Sequence, residues 1–92
     1  MRTARVGGRS FALRDGVWVD AAAERRDRTR TVRVQAYSDA YFKVLELLPE
    51  LRPVFALGDR VTVAGRAVTI EVAPDGRETL SQRDLDLLRG DW

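Results

Sequence analysis

The chain has 92 residues and a formal net charge of +2, and it contains neither cysteine nor histidine. The missing cysteine excludes disulfides and thiolate metal sites, and the missing histidine removes the commonest general base and zinc ligand. No apolar run approaches the roughly 20 residues of a membrane span, and the first residues show no signal-peptide pattern. We therefore predict one domain over residues 1–92, not an enzyme, with no catalytic residue, no cofactor and no metal site.

Arginine supplies 15 of the 16 basic residues, and the charge is unevenly distributed along the chain. Residues 1–35 have a net charge of +5, whereas residues 36–92 have a net charge of −3. GC-rich codon usage alone produces such an arginine bias. A basic first half also attracts acidic partners, including nucleic acid, so both explanations stay open.

The first predicted elements are a linker or edge strand over residues 1–8 and then a hairpin. Residues 10–13 and 17–20 form its strands, because β-branched and aromatic residues flank a turn that contains Gly16. A three-residue loop would place Gly16 in the left-handed conformation that glycine adopts easily.

The loop length decides which side chains of this hairpin share a face. A three-residue loop pairs Leu13 with Val17 and leaves Ala12 and Trp18 on the outer face, away from the helices. A two-residue loop pairs Leu13 with Trp18 and scatters apolar side chains over both faces, so we favour the first. Trp18 is then either covered by a flanking segment or exposed to a partner, a role that tryptophan often takes.

Residues 21–31, AAAERRDRTRT, form the most polar stretch of the chain. Their alternating charges indicate a solvated surface loop that folding does not require. Nucleic-acid binding would normally add aromatic side chains that stack on bases, and this stretch has none.

A third strand follows over residues 31–36, with Val32 and Val34 facing inward and Arg33 and Gln35 facing outward. After it, Ser38 is a good N-cap for an amphipathic helix that should end near Leu48, because Pro49 cannot continue it. The flanking aromatic residues Tyr37 and Phe42 have the spacing of a hydrophobic staple. A second short helix should end at Gly58.

The last third of the chain predicts a second hairpin and a short closing helix. Residues 60–64 and 66–72 are the strands, and a two-residue turn at Ala64 and Gly65 pairs Val61 with Val68. Ser81 caps the closing helix at residues 82–89, with Asp84 placed for a capping box.

These elements follow the order β-β-β-α-α-β-β, with the closing helix at the end. The fold class is therefore α+β, with a small antiparallel sheet of about five strands and a helix pair on one face. We predict a partner surface on the outer sheet face, formed by Ala12, Trp18, Arg33 and Gln35, since tryptophan and arginine are enriched at binding hot spots. An uncovered sheet face also favours self-association.

Three segments, FALRDGVWVD, VRVQAYSDAYFKVLELLPELRPVFALGDRVTVAG and AVTIEV, resemble a C-terminal module of bacterial proteins that carry VIT and von Willebrand factor A domains. The module's GxxFxxxxGxWVD pattern is matched by Gly8, Phe11, Gly16, Trp18, Val19 and Asp20. Its YFxLLxxxPELxxxxALGxxVxV pattern is matched by Tyr41, Phe42, Leu45, Pro49, Glu50, Leu51, Ala56, Leu57, Gly58, Val61 and Val63. The DxSxS metal motif of the von Willebrand factor A domain does not occur in this sequence.

The resemblance implies an accessory domain of a larger adhesion-like or assembly protein, often envelope-associated or secreted. We therefore expect a non-enzymatic interaction module whose partner is another protein or a neighbouring domain of the same chain. The alternative is an arginine-rich domain that binds nucleic acid or phosphate. Nucleic-acid binding would weaken steeply with salt, whereas apolar protein contacts would not.

Overall fold

The computed structural model describes residues 2–24 and 30–92, and six strands within these ranges form one mixed sheet with the order β1-β2-β3-β5-β6-β4. The strands are β1 (Thr3–Val6), β2 (Arg9–Arg14), β3 (Val17–Asp20), β4 (Thr31–Gln35), β5 (Val61–Ala64) and β6 (Thr69–Ala73). The helices are α1 (Ala21–Glu24), α2 (Asp39–Leu47), α3 (Arg52–Phe55) and α4 (Gln82–Gly90), with a 3-10 turn at Pro49–Leu51 before α3.

The predicted α+β class is confirmed, but the sheet is larger than expected and is not purely antiparallel. Residues 3–6 form the edge strand β1 rather than a linker, which makes six strands instead of five. Strand β3 pairs with β5, and β4 pairs with β6, in parallel. The cause is connectivity, because β5 and β6 lie between β3 and β4 and separate strands that are consecutive in sequence. Alternation of side chains predicts the face of a residue but not the neighbour of a strand.

The first hairpin has a two-residue turn, the alternative that the apolar pattern disfavoured. Asp15 and Gly16 both have positive φ, 53° and 80°, as a tight hairpin turn requires. Leu13 therefore lies opposite Trp18, one residue away from the predicted pairing. Because a shift of one residue turns every side chain of a strand to the other face, Trp18 lies on the same face as Phe11 and packs against the core.

The predicted polar loop at residues 21–31 begins as helix α1, which contacts β2, β3 and β5. Ala23 is only 1% exposed, and Glu24 forms a 2.9 Å ion pair with Arg14. The Arg14 side chain points to the outer face of the sheet, away from the Phe11 side. Because Glu24 of α1 pairs with it, α1 covers part of the outer face. Residues 21–24 therefore make structural contacts, and residues 25–29 of the predicted loop lie outside the described part of the chain.

Helix α2 follows the prediction closely. The Ser38 hydroxyl accepts a 3.3 Å hydrogen bond from the Tyr41 amide, and the helix ends at Leu47, one residue before Leu48 and two before Pro49. Its buried stripe packs on the inner face of the sheet, where the core is formed by Phe11, Val32, Val34, Ala40, Tyr41, Val44, Leu48, Leu51, Val54, Phe55, Val61, Val63, Val68, Ile70, Val72 and Leu88. Helices α2, α3 and α4 thus cover one face, which we call the inner face.

The second hairpin also has a different register from the predicted one. Val61 pairs with Val72 rather than with Val68, and a longer connection replaces the two-residue turn. The connection is stabilised from outside the hairpin, because the amide of Arg66 donates to the carbonyl of Trp92 at 3.0 Å. The pairing is shifted by four residues, and because side chains alternate between the faces, an even shift leaves each side chain on its predicted face. The capping box of α4 at Ser81 and Asp84 is confirmed.

Candidate partner surface

The outer face of the sheet carries a groove of about 440 Å³ that extends from β3 to the edge strand β4. Its lining comes from strands β3, β4, β5 and β6 and from the residues next to them: Val17, Arg33, Arg60, Thr62, Glu71, Val72, Ala73, Pro74 and Asp75. The groove therefore combines apolar side chains with side chains of both signs of charge.

Arg33 is held in the groove by two carboxylates. Its Nε lies 3.0 Å from Oε2 of Glu71, and its Nη2 lies 2.9 Å from Oδ1 of Asp75. The parallel pairing of β4 with β6 sets Arg33 opposite Glu71, and the turn after β6 brings Asp75 alongside. The Arg33 side chain is still 47% exposed, so these ion pairs stabilise the fold by only about 0–1 kcal/mol. Their main effect is to fix the direction of the guanidinium group.

The turn that carries Asp75 is bound tightly to β4. The side-chain amide of Gln35 donates to the carbonyl of Pro74 at 3.0 Å, and its backbone amide donates to the carbonyl of Arg77 at 2.8 Å. Gly76 lies so close to Val34 that a Cβ atom there would overlap the Val34 carbonyl group. The position of Asp75 relative to Arg33 is therefore set by the backbone.

The predicted partner surface is brought together only in part. Arg33 and Gln35 lie on the outer face beside the groove, as expected. Ala12 also lies on this face, but β3, β5 and β6 separate its strand from β4. Trp18 lies on the inner face, where a Cβ atom at Gly58 would be 3.5 Å from its Cδ1 atom. The tryptophan therefore belongs to the core side, and the register of the first hairpin is the reason.

Three charged groove residues were missing from the predicted set: Arg60, Glu71 and Asp75. Glu71 was detectable, because it interrupts the apolar run between Ile70 and Val72 and so occupies the outward position of β6. Asp75 lies in a turn, where an acidic residue normally has a local role, and only the tertiary structure shows its contact with Arg33. Nothing in the sequence marks Arg60.

A second polar cluster surrounds Asp20, where the central strands β3 and β5 end. This carboxylate is only 2% exposed, and its oxygens accept hydrogen bonds from the amides of Ala22 at 3.0 Å and Ala64 at 3.1 Å. Arg9 lies 3.3 Å from the same carboxylate, also donates to the Ala64 carbonyl, and stacks over the Trp92 ring. The cluster joins β2, β3, α1 and β5, so its role is structural.

Two aromatic side chains are exposed at the start of α2. Tyr37 and Phe42 are 64% and 55% exposed, and their predicted staple contact stays a prediction. Both rings contact the buried Tyr41, at centroid distances of 5.3 Å and 5.1 Å. Burial raises the pKa of the Tyr41 phenol, and the neighbouring Tyr37 adds to this increase.

No protein-family model, curated protein or solved structure matches the chain. Among the described residues, no three acidic, histidine or cysteine side chains are grouped so that they could hold a metal ion. The helices described are all too short or too polar to cross a bilayer.

Proposed function

We propose that the chain is a non-enzymatic protein-interaction or assembly module and that its partner binds the outer-face groove around Arg33. The observation that carries this proposal is the fixed guanidinium group of Arg33 between Glu71 and Asp75. Arginine is among the residues most enriched at binding hot spots, and a side chain fixed in advance loses little entropy when a partner binds.

The resemblance to the module of VIT and von Willebrand factor A proteins supports the same class of function. Under this proposal the partner is a neighbouring domain of a larger chain or a separate protein of the same assembly. The matched motif residues of this module include no catalytic constellation, and the sequence contains no histidine or cysteine that would supply one.

The ion pairs support protein binding over the alternative of nucleic-acid binding. Several arginines of the basic first half lie close to carboxylates: Arg9 to Asp20, Arg14 to Glu24, Arg30 to Asp91, and Arg33 to Glu71 and Asp75. Pairing of this kind reduces the positive potential that would attract phosphates. The exposed aromatic pair, Tyr37 and Phe42, lies at the start of α2 and not beside these paired arginines.

Quantitative affinity capture from cells that produce the protein tests the proposal. The wild type is compared with Arg33→Ala and with the control Arg89→Ala, which removes an exposed arginine of α4. We expect one protein to be enriched by the wild type and by Arg89→Ala and to be reduced about tenfold or more with Arg33→Ala, the loss of one hot-spot side chain. The enrichment should survive nuclease treatment.

Two results would contradict the proposal. Equal loss of the captured protein with both variants would show that Arg33 has no special role. Capture that disappears with nuclease, or that falls steeply with salt, would favour the nucleic-acid alternative.

A further inference from the structure

The two edges of the sheet differ in how their backbone groups are satisfied. At the β4 edge, Arg77 bridges to Val34, and the Gln35 amide donates to the Arg77 carbonyl at 2.8 Å. At the β1 edge, no described residue pairs with the side of β1 that faces away from β2. Unpaired edge groups are a template for the addition of another strand.

The register of β1 and β2 identifies the free groups. The glycine pair between Val6 and Arg9 makes a two-residue hairpin turn, so Val6 and Arg9 exchange hydrogen bonds. Hydrogen-bonded pairs recur at every second residue, so Ala4 with Phe11 and Arg2 with Leu13 are the next ones. The 2.9 Å hydrogen bond from the Leu13 amide to the Arg2 carbonyl agrees with this pattern. The amides and carbonyls of Thr3 and Arg5 consequently point to the free edge.

The arginines along this edge are unpaired within the described part of the chain. Arg2 and Arg5 form no ion pair with any described residue, whereas Arg9 and Arg14 on the adjacent strand are each paired. Arg5 lies opposite Ser10 and therefore on the outer face, while Ala4 lies opposite Phe11 on the inner face. A second copy of this chain would bring more arginine to an edge that is already basic, which disfavours self-pairing.

We propose that the β1 edge binds an extended acidic segment of another polypeptide by strand addition. The incoming strand pairs its backbone with Thr3 and Arg5 and places a carboxylate beside Arg5 on the outer face. Its alternate side chains are apolar and continue the inner face beside Ala4 and Val6, of which Val6 already contacts the core. This surface is separate from the groove at Arg33, which lies at the other end of the strand order.

Fluorescence anisotropy with a labelled peptide tests this proposal. The probe is a capped peptide of about eight residues that alternates glutamate and valine, and the matched control replaces each glutamate by lysine. We expect the acidic peptide to bind at least about tenfold more tightly than the basic peptide, since the attraction between its glutamates and Arg5 becomes a repulsion between lysines and Arg5. Arg5→Glu should weaken binding of the acidic peptide by about fivefold or more.

Thr3→Pro tests the backbone part of the proposal. The substitution removes one outward amide and no hydrogen bond to β2, so the variant should fold and should lose binding of the acidic peptide. Arg33→Ala is the control, and it should bind the peptide as the wild type does, which separates this proposal from the groove proposal. Arg5→Glu provides the decisive comparison if Thr3→Pro alters the melting temperature.

Three results would overturn the proposal. The first is no binding of the acidic peptide at about 1 mM, which is the limit of a weak complex. The second is equal binding of the acidic and basic peptides. The third is sedimentation of the wild type as a dimer that Thr3→Pro converts to a monomer, because a second copy would then occupy this edge.

Discussion

Replacement of Asp20 by alanine should be one of the most destabilising single changes in this chain. The Asp20 carboxylate is only 2% exposed and accepts hydrogen bonds from the amides of Ala22 and Ala64. Hydrogen bonds to a charged group stabilise by about 1.5–3 kcal/mol each, and the Arg9 ion pair is also lost. Because the freed Ala22 amide can bind water, we expect a total loss of about 3–5 kcal/mol in the free energy of unfolding.

Urea denaturation followed by circular dichroism measures this loss as a fall in midpoint at constant slope. Asp20→Asn keeps one acceptor oxygen and should cost about half as much, roughly 1.5–2.5 kcal/mol. Asp86→Ala is the matched control, because Asp86 is exposed and bonds only to the exposed Gln82, and it should cost less than about 0.5 kcal/mol. A cost below about 1 kcal/mol for Asp20→Ala would refute the structural role of the cluster.

Three further predictions concern the turn after β6, the aromatic cluster and the first hairpin. Gly76→Ala should lower the free energy of unfolding by about 2–3 kcal/mol, because its Cβ atom would overlap the β4 backbone. Gly90→Ala should raise it by up to about 1 kcal/mol, because the Cβ atom meets open space in α4. Equal effects of the two substitutions in urea denaturation would contradict this. Burial raises the pKa of Tyr41 above its ordinary value of 10.0, so the stability that the neutral phenol contributes is complete below pH 10.0 and is lost as pH rises through the raised pKa. The melting temperature of Tyr41→Phe should therefore fall less steeply with rising alkaline pH than that of the wild type, and parallel curves for the two proteins would contradict this. In a Trp92→Phe background, Trp18 emission should be blue-shifted and protected from acrylamide, since its ring packs against the core; a red-shifted, easily quenched signal would restore the outer-face placement.

Local signals of the sequence predicted local structure well. Ser38 and Ser81 were recognised as helix caps because the capping interaction lies within four residues of each serine. The faces of β4 and β6 followed from alternation, so Arg33 and Gln35 were placed correctly on the outer face. The pairing predicted for the second hairpin was wrong by four residues, an even number, so it did not change these faces.

The register of the strands was harder to predict from the sequence than the helix caps or the strand faces. The turn at Asp15 and Gly16 permits two loop lengths, and the apolar pattern favoured the one that the chain does not adopt. The preferred register looked better because it gathered Phe11, Leu13, Val17 and Val19 on one face. The folded sheet instead uses α1 to cover part of the second face, with Ala23 buried there. Burial of apolar residues on both faces is therefore compatible with this hairpin.

The candidate site shows the same division between local and tertiary information. Arg33 was predicted from strand alternation and from the frequency of arginine at binding hot spots. Its partner Asp75 became visible only in the structure, since 42 residues separate the two side chains. The role of Asp20 also needed the structure, because its acceptor contacts reach Ala64 on a strand far along the sequence.

Site-specific photo-crosslinking tests the central claim, a protein partner in the outer-face groove, most directly. A photoreactive residue replaces Arg60, which lines the groove, and in a control protein it replaces Arg89 on α4. The proposed function predicts a discrete protein adduct from position 60 in cells that produce the protein, its absence from position 89, and its loss when Arg33→Ala is added. Equal adducts from both positions, adducts to nucleic acid alone, or no adduct from position 60 would contradict it.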